Sequence, residues 1–127
     1  MTKKIIYSEK APKAIGPYSQ AVQIENFLFL SGQIGLNPKT NKLENKNLQS
    51  ELEQIMKNIT SILNEANMTI ENIIKTSVFM KDLSSFSNFN NIYKSFFKEK
   101  FPARETIEVS KLPMDARIEI SIIAYKK

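Results

Sequence analysis

The chain has 127 residues, a length for one domain, and at 42% hydrophobic and 24% charged it has the composition of a soluble globular protein with an ordinary core. Cysteine and histidine are both absent, which excludes disulfides, Cys nucleophiles, Ser-His pairs and zinc sites built from those side chains. Acid–base chemistry is left to Asp, Glu, Tyr or Lys, or to a bound cofactor. The net charge of +5 comes from 18 basic residues scattered without a long run, so it reads as a solvated surface and argues against a nucleic-acid partner.

No apolar run approaches the ~20 residues of a membrane span, and the lysines of Met1-Thr2-Lys3-Lys4 are not followed by an apolar stretch of signal-peptide length. A cytosolic, membrane-free protein is expected.

In chain order, Ile5-Ile6-Tyr7 reads as a short strand, and Lys10 to Tyr18, with Pro12, Gly16 and Pro17, as irregular. Ala21 to Ile24 and Phe27 to Ser31 read as strands around a tight turn at Glu25-Asn26, and Gly32 to Leu43 as a loop with turn residues Gly35, Asn37-Pro38 and Asn41. Leu48, Leu52, Ile55, Ile59, Ile62, Leu63 and Ala66 recur at three- and four-residue spacing, predicting an amphipathic helix over Lys46 to Ala66.

Ile73 to Lys81 is β-branched and aromatic, hence a strand. Asp82 or Ser84 can cap a second helix with Phe86, Phe89, Ile92, Tyr93, Phe96 and Phe97 on one side, stopped by Phe101-Pro102. Ala103 to Ser110 and Arg117 to Tyr125 close the chain as strands. The order βββαβαββ in one domain over 1–127 predicts an α+β layer, two helices on one face of a mixed sheet.

Only two of the basic residues are arginine, Arg104 and Arg117, and arginine is the side chain suited to bidentate carboxylate recognition. Period two puts Arg104, Thr106, Glu108 and Ser110 on one strand face, small and polar apart from its arginine, and Arg117, Glu119 and Ser121 on one face of the next. If the two strands form a hairpin centred between Lys111 and Leu112, Arg104 lies opposite Glu119. That pair is a carboxylate-binding site or an ordinary cross-strand ion pair. Gly16-Pro17-Tyr18 is a bend presenting an aromatic hydroxyl, or a loop whose ring packs on the core. Ser31-Gly32-Gln33 ends an apolar strand where glycine admits close backbone approach, or is a simple bulge. The three glycines are isolated and form no phosphate loop, and no carboxylates have metal-ligand spacing, so neither cofactor nor metal is expected.

Together these segments resemble the reactive-intermediate (enamine/imine) deaminase family, also called the YjgF family, over nearly the whole chain. The residues that carry the resemblance are Ala14-Ile15-Gly16-Pro17-Tyr18-Ser19-Gln20-Ala21, Ser31-Gly32-Gln33-Ile34, Asn37-Pro38-Lys39-Thr40, and Lys75 to Leu83. Phe101-Pro102-Ala103-Arg104, Lys111-Leu112-Pro113 and Ile118-Glu119-Ile120 complete it; Pro-Ala-Arg followed at this distance by Ile-Glu-Ile is the most specific part. The resemblance implies a chorismate-mutase-like fold, a homotrimer with a ligand cleft at each subunit interface, and hydrolysis of 2-aminoacrylate and related 2-imino acids to 2-keto acids and ammonia.

It also implies Arg104 as the carboxylate anchor, Glu119 as the site glutamate, and Tyr18, Ser31 and Gly32 as pocket residues. Two departures stand out: Thr106 replaces a cysteine common in the family, so no thiol acts here, although the backbone at Thr106 can still contact a ligand. Glu105 replaces a small residue but points away from Arg104 on an alternating strand. A non-catalytic keto- or amino-acid-binding regulator would use the same cleft. Ribonuclease and chaperone-like roles have also been described in the family, and the scattered lysines and missing histidine argue against the ribonuclease.

Overall fold

The computed structural model describes residues 2–127. Eight strands and two α-helices alternate as β1 (Lys4–Ile6), β2 (Ala21–Ile24), β3 (Phe27–Gln33), β4 (Leu36–Asn37), β5 (Lys42–Leu43), α1 (Leu48–Glu65), β6 (Ile73–Met80), α2 (Phe86–Tyr93), β7 (Ala103–Glu108) and β8 (Ile118–Tyr125). Six of the strands form one mixed sheet in the order β1-β2-β3-β8-β6-β7, and β4 and β5 form a separate small hairpin. The expected βββαβαββ order therefore holds for the main sheet, while the segment read as a plain loop, 32–43, contains the extra hairpin.

Helix α1 is set by its own ends. Asn47 accepts from the Ser50 amide at 2.8 Å while the Ser50 hydroxyl reaches back to the Asn47 amide, a reciprocal cap that satisfies two otherwise orphaned donors. At the far end Asn67 adopts a left-handed conformation (φ 57°), and Met68 N–H and Asn67 N–H close onto Leu63 and Asn64 carbonyls at 2.9 and 3.0 Å. Between the caps, Leu52, Ile55, Ile59, Ile62 and Leu63 are wholly buried, each worth roughly 1.5–3 kcal/mol of apolar burial. They share one core with Leu28 and Leu30 of β3, Val78 of β6 and Ile118, Ile120 and Ile122 of β8.

The second helix is shorter than its apolar periodicity predicts. Asp82 accepts from Ser84 N–H and opens a 3-10 turn, α2 follows, and a second 3-10 turn ends at Phe96, well before Phe101-Pro102. Phe97 turns extended (φ −121°, ψ 120°), which packs its ring 4.9 Å from that of Tyr93 in the core.

One expectation fails outright. The last two strands do not form a hairpin: β6 lies between them, parallel to β7 (Thr76↔Arg104) and antiparallel to β8 (Phe79↔Glu119). Strand β7 reaches its edge position by a crossover through α2, which lets α2 cover the sheet in a way a β7–β8 hairpin would not. Arg104 and Glu119 are thus two strand spacings and three residues apart in register, roughly 14 Å between Cα atoms, and on opposite faces of the sheet.

The face away from the helices is left open. It carries Ile5, Phe27, Phe29 and Ile107, each 40–54% exposed.

Candidate functional site

The structure brings four of the six sequence-predicted site residues together. Ser31 and Gly32 sit at a bulge in β3: Leu30 pairs with Ile122 and Gln33 with Ile120, so two residues oppose Ser121 alone. The bulge re-aims the strand beside Glu119, whose side chain lies on the open face of β8. A Cβ built on Gly32 would stand 2.7 Å from Glu119 Oε2 and 2.8 Å from its Cδ, so the missing side chain is the space the carboxylate occupies. Glu119 is half-buried and has no ion-pair partner among the described residues. Burial pushes its carboxyl above the ordinary range.

The loop before β2 supplies further lining. Buried Gln20 receives Ser8 N–H at 2.7 Å and donates to the carbonyls of Ser8 and Pro12, tying both ends of the irregular segment to the sheet. Ser31 Oγ donates to the Ser19 carbonyl at 2.6 Å, so this hydroxyl holds the loop against the bulge. Gly16 takes φ 128°, a conformation side-chain-bearing residues avoid, and lets Tyr18 fold back until its hydroxyl accepts from Ile15 N–H at 3.3 Å. Tyr18, Ser31, Gly32 and Glu119, with Ile15, Pro113 and Met114, line a cleft of about 570 Å³. The sequence reading missed Gln20, Pro113 and Met114 as site elements; a glutamine directly after Gly-Pro-Tyr-Ser was the available signal for the first.

Arg104 and Thr106 are not in this cleft. On the helix face of β7, the Arg104 guanidinium stands over three rings of α2, with its carbon 4.9 Å from the centroid of Tyr93, 5.3 Å from Phe89 and 5.6 Å from Phe86. The face expected to be small and polar is instead an aromatic cradle, because alternation along β7 says nothing about which helix covers it. Tyr93 is itself fixed by a 2.8 Å bond between its hydroxyl and Thr76 Oγ1, and its burial raises its pKa despite that bond and the nearby guanidinium.

Arg104 has no carboxylate partner among the described residues. Thr106 Oγ1, and Asn90 Oδ1 on the neighbouring helix α2, are buried with no hydrogen-bond partner among the described residues. Buried polar atoms rarely stay unpaired, so the Arg104 side offers capacity the single chain does not use. Glu105 points to the other face, as alternation predicts, where it contacts Lys75 at 3.1 Å and bonds to Ser77.

Arg117 is committed elsewhere. Its guanidinium lies 3.2 Å from Glu51 Oε1 and 2.8 Å from the Asn45 carbonyl, and its amide donates to Glu51 Oε2 at 2.7 Å. Among the described residues no group of three or more His, Cys, Asp or Glu side chains could hold a metal ion, and no helix is long and apolar enough to cross a membrane.

The sequence pattern of the endoribonuclease L-PSP family matches residues 8–126. The human 2-iminobutanoate/2-iminopropanoate deaminase is 41% identical, with 99% of this chain and 92% of the human protein covered. The crystal structure of YyfA from Yersinia pestis, described as a protein of unknown function of the Rid family, superposes with TM-score 0.95 at 42% identity, covering 98% of this chain and 100% of that one. TdcF of E. coli with bound serine superposes with TM-score 0.93 at 36% identity over 98% of this chain and 99% of its own. The sheet-and-two-helix architecture described above is the chorismate-mutase-like fold these proteins share.

Proposed function

This chain belongs to the endoribonuclease L-PSP family, the family of the Rid and YjgF proteins, and from that premise we propose that it hydrolyses reactive 2-imino acids of the 2-aminoacrylate type to 2-keto acids and ammonia. The observation that carries the proposal is the half-buried Glu119 carboxylate, lodged against Gly32 in an open cleft and without an ion-pair partner among the described residues.

The reaction needs little. An iminium carbon is already electrophilic, so water adds to it, the C–N bond breaks, ammonia leaves and the carbonyl remains. Glu119 orients the water and accepts its proton, then returns one to the departing nitrogen. A carboxyl raised by burial is a better base than an exposed one. Arg104 grips the substrate carboxylate through two parallel hydrogen bonds, the backbone at Gly32 and Thr106 shapes the site, and Tyr18 closes one side. Such imines also hydrolyse unaided, and a barrier lowered by ~3–5 kcal/mol corresponds to an acceleration of roughly a few hundred- to a few thousand-fold.

Within one chain Arg104 and Glu119 cannot meet on one ligand, since they occupy opposite faces of the sheet. We therefore assign the active unit to a homotrimer in which Arg104 of one copy enters the cleft of the next. The exposed apolar side chains Ile5, Phe27, Phe29 and Ile107 support a covered open face. The assignment as a cytosolic enzyme without metal or cofactor goes with this reading.

The test is a coupled assay. A dehydratase generates 2-aminoacrylate from serine, and pyruvate release is followed with wild type, Arg104→Ala and Glu119→Gln. Wild type alone should accelerate it. Co-expressed Arg104→Ala and Glu119→Gln chains should recover about a quarter of wild-type turnover by statistical mixing, because one interface in four then holds both intact residues. No recovery would place both residues in one subunit's site and reject the shared cleft. No acceleration by intact wild-type trimer would make the protein a carboxylate-binding regulator.

A further inference from the structure

The cleft is lined by unlike side chains. Lys13, Ser31 and Glu119 are polar, and the chemistry proposed above takes place at Glu119 beside Gly32. Ile15, Pro113 and Met114 are apolar, with Ile15 76% and Met114 53% exposed. A three-carbon imino acid has six non-hydrogen atoms and fills at most roughly 180 Å³, taking about 30 Å³ for each water-sized group, against about 570 Å³ in the cleft. The cleft is thus larger than the reacting group, and Ile15, Pro113 and Met114 give it apolar lining.

The backbone that presents Met114 is unusual. Met114 (φ 56°, ψ 24°) and Asp115 (φ 57°) are consecutive left-handed residues, a conformation that side-chain-bearing residues adopt at a cost. They are held there by an ion pair between Lys81 and Asp115 and by Ala116 N–H donating to the Pro113 carbonyl at 3.1 Å. That cost is not recovered as core packing, since half of Met114 faces solvent at the cleft rim. Strain held by its surroundings next to a ligand cleft is a mark of a side chain placed for contact with what binds there.

We propose that Met114 is a specificity-determining residue, forming with Ile15 and Pro113 an adaptable apolar wall that takes the carbon side chain of the 2-imino acid. The protein then favours substrates with an unbranched apolar chain beyond three carbons. An unbranched thioether suits that role because it re-packs around chains of different length. The inference rests on the proposed function for its substrate class, and on the cleft geometry for the residue.

The experiment compares 2-imino acids generated in the assay by an L-amino-acid oxidase from alanine, 2-aminobutyrate and methionine, with wild type, Met114→Leu and Met114→Lys. The quantity read is the ratio of kcat/KM for the methionine-derived imine to that for the alanine-derived one. It should fall by roughly 10-fold in Met114→Lys and stay within about 3-fold in Met114→Leu, which conserves volume and polarity. An unchanged ratio in Met114→Lys overturns the assignment. The same ratio is read without turnover by titrating pyruvate and 4-methylthio-2-oxobutanoate into each variant. If wild type hydrolyses no imine, the proposed function falls, and the binding ratio alone decides the role of Met114. If neither keto acid binds, both fall.

Discussion

The two arginines of this chain are equally rare in its composition and opposite in their circumstances. Arg117 shares a wholly buried Glu51 between its guanidinium and its own amide and is bonded to partners from α1 and the segment before it. Arg104 lies on three aromatic faces, next to elements with unpaired buried oxygens, and has no anionic partner among the described residues. An arginine whose donors are used holds a fold together. An arginine supported from behind, with its donors free, is prepared for a ligand, because rings fix the plane of the guanidinium without consuming its N–H groups. The lesson is that residue type nominates a binder and the local hydrogen-bond count decides it.

That contrast can be broken by exchange of effects. The largest belongs to Arg104→Ala, which should return imine hydrolysis to the unaided rate, a loss on the order of 10³-fold, while moving the urea midpoint by the equivalent of less than ~1 kcal/mol. Arg104→Lys should not restore turnover, since an ammonium offers no planar fork; near-full activity in that variant would remove the bidentate anchor. Arg117→Ala should do the reverse. It strands a buried carboxylate, and with its own side chain half in solvent the cost is about 2–3 kcal/mol in chemical denaturation, with turnover per folded molecule little changed. A neutral Arg117→Ala would make the two arginines alike after all.

Smaller effects sharpen the picture on the Glu119 side. Gly32→Ala pushes a methyl group to 2.7 Å from Glu119 Oε2. The carboxylate can swing aside, so the expected result is a roughly 10–100-fold fall in kcat/KM with only a slight change in stability; unimpaired turnover would show that the carboxylate position is not critical.

The smallest effect is a pH-dependent one. Burial raises the Glu119 carboxyl above its usual value of 4.5, so the fold favours the protonated form. Its contribution to stability is present below the unfolded pKa and is lost as pH rises through the raised folded one. Glu119→Gln should therefore be more stable than wild type near pH 7 and lose that advantage near pH 4, while turning over imines more slowly at every pH. Equal thermal midpoints for the two proteins near pH 7 would count against the burial penalty.

Much of the fold is legible in the sequence because local physics dominates there. Helix α1 falls within two residues of the predicted Lys46 to Ala66 at each end, since an Asn47 cap, a buried stripe and an Asn67 stop all act within a few residues of one another. The strands β2 and β6 follow their β-branched and apolar runs equally well. The second helix was overextended because Phe96 and Phe97 continue the apolar spacing, yet the chain turns extended at Phe97 to stack it on Tyr93.

Pattern and family resemblance together point to Arg104, Glu119, Tyr18, Ser31, Gly32 and Thr106, and the lack of cysteine and histidine excludes thiol and imidazole chemistry. What they did not decide was arrangement. Neighbouring strands in the chain invite a hairpin, but β6, arriving from forty residues earlier, occupies the place between β7 and β8 and puts Arg104 and Glu119 on opposite faces. That outcome depends on α2 and α1 covering one side of the sheet together, a long-range packing condition no local pattern encodes. The same is true of Glu51 claiming Arg117 across 66 residues: side-chain chemistry is written residue by residue, whereas which charges meet is set only when the whole core closes.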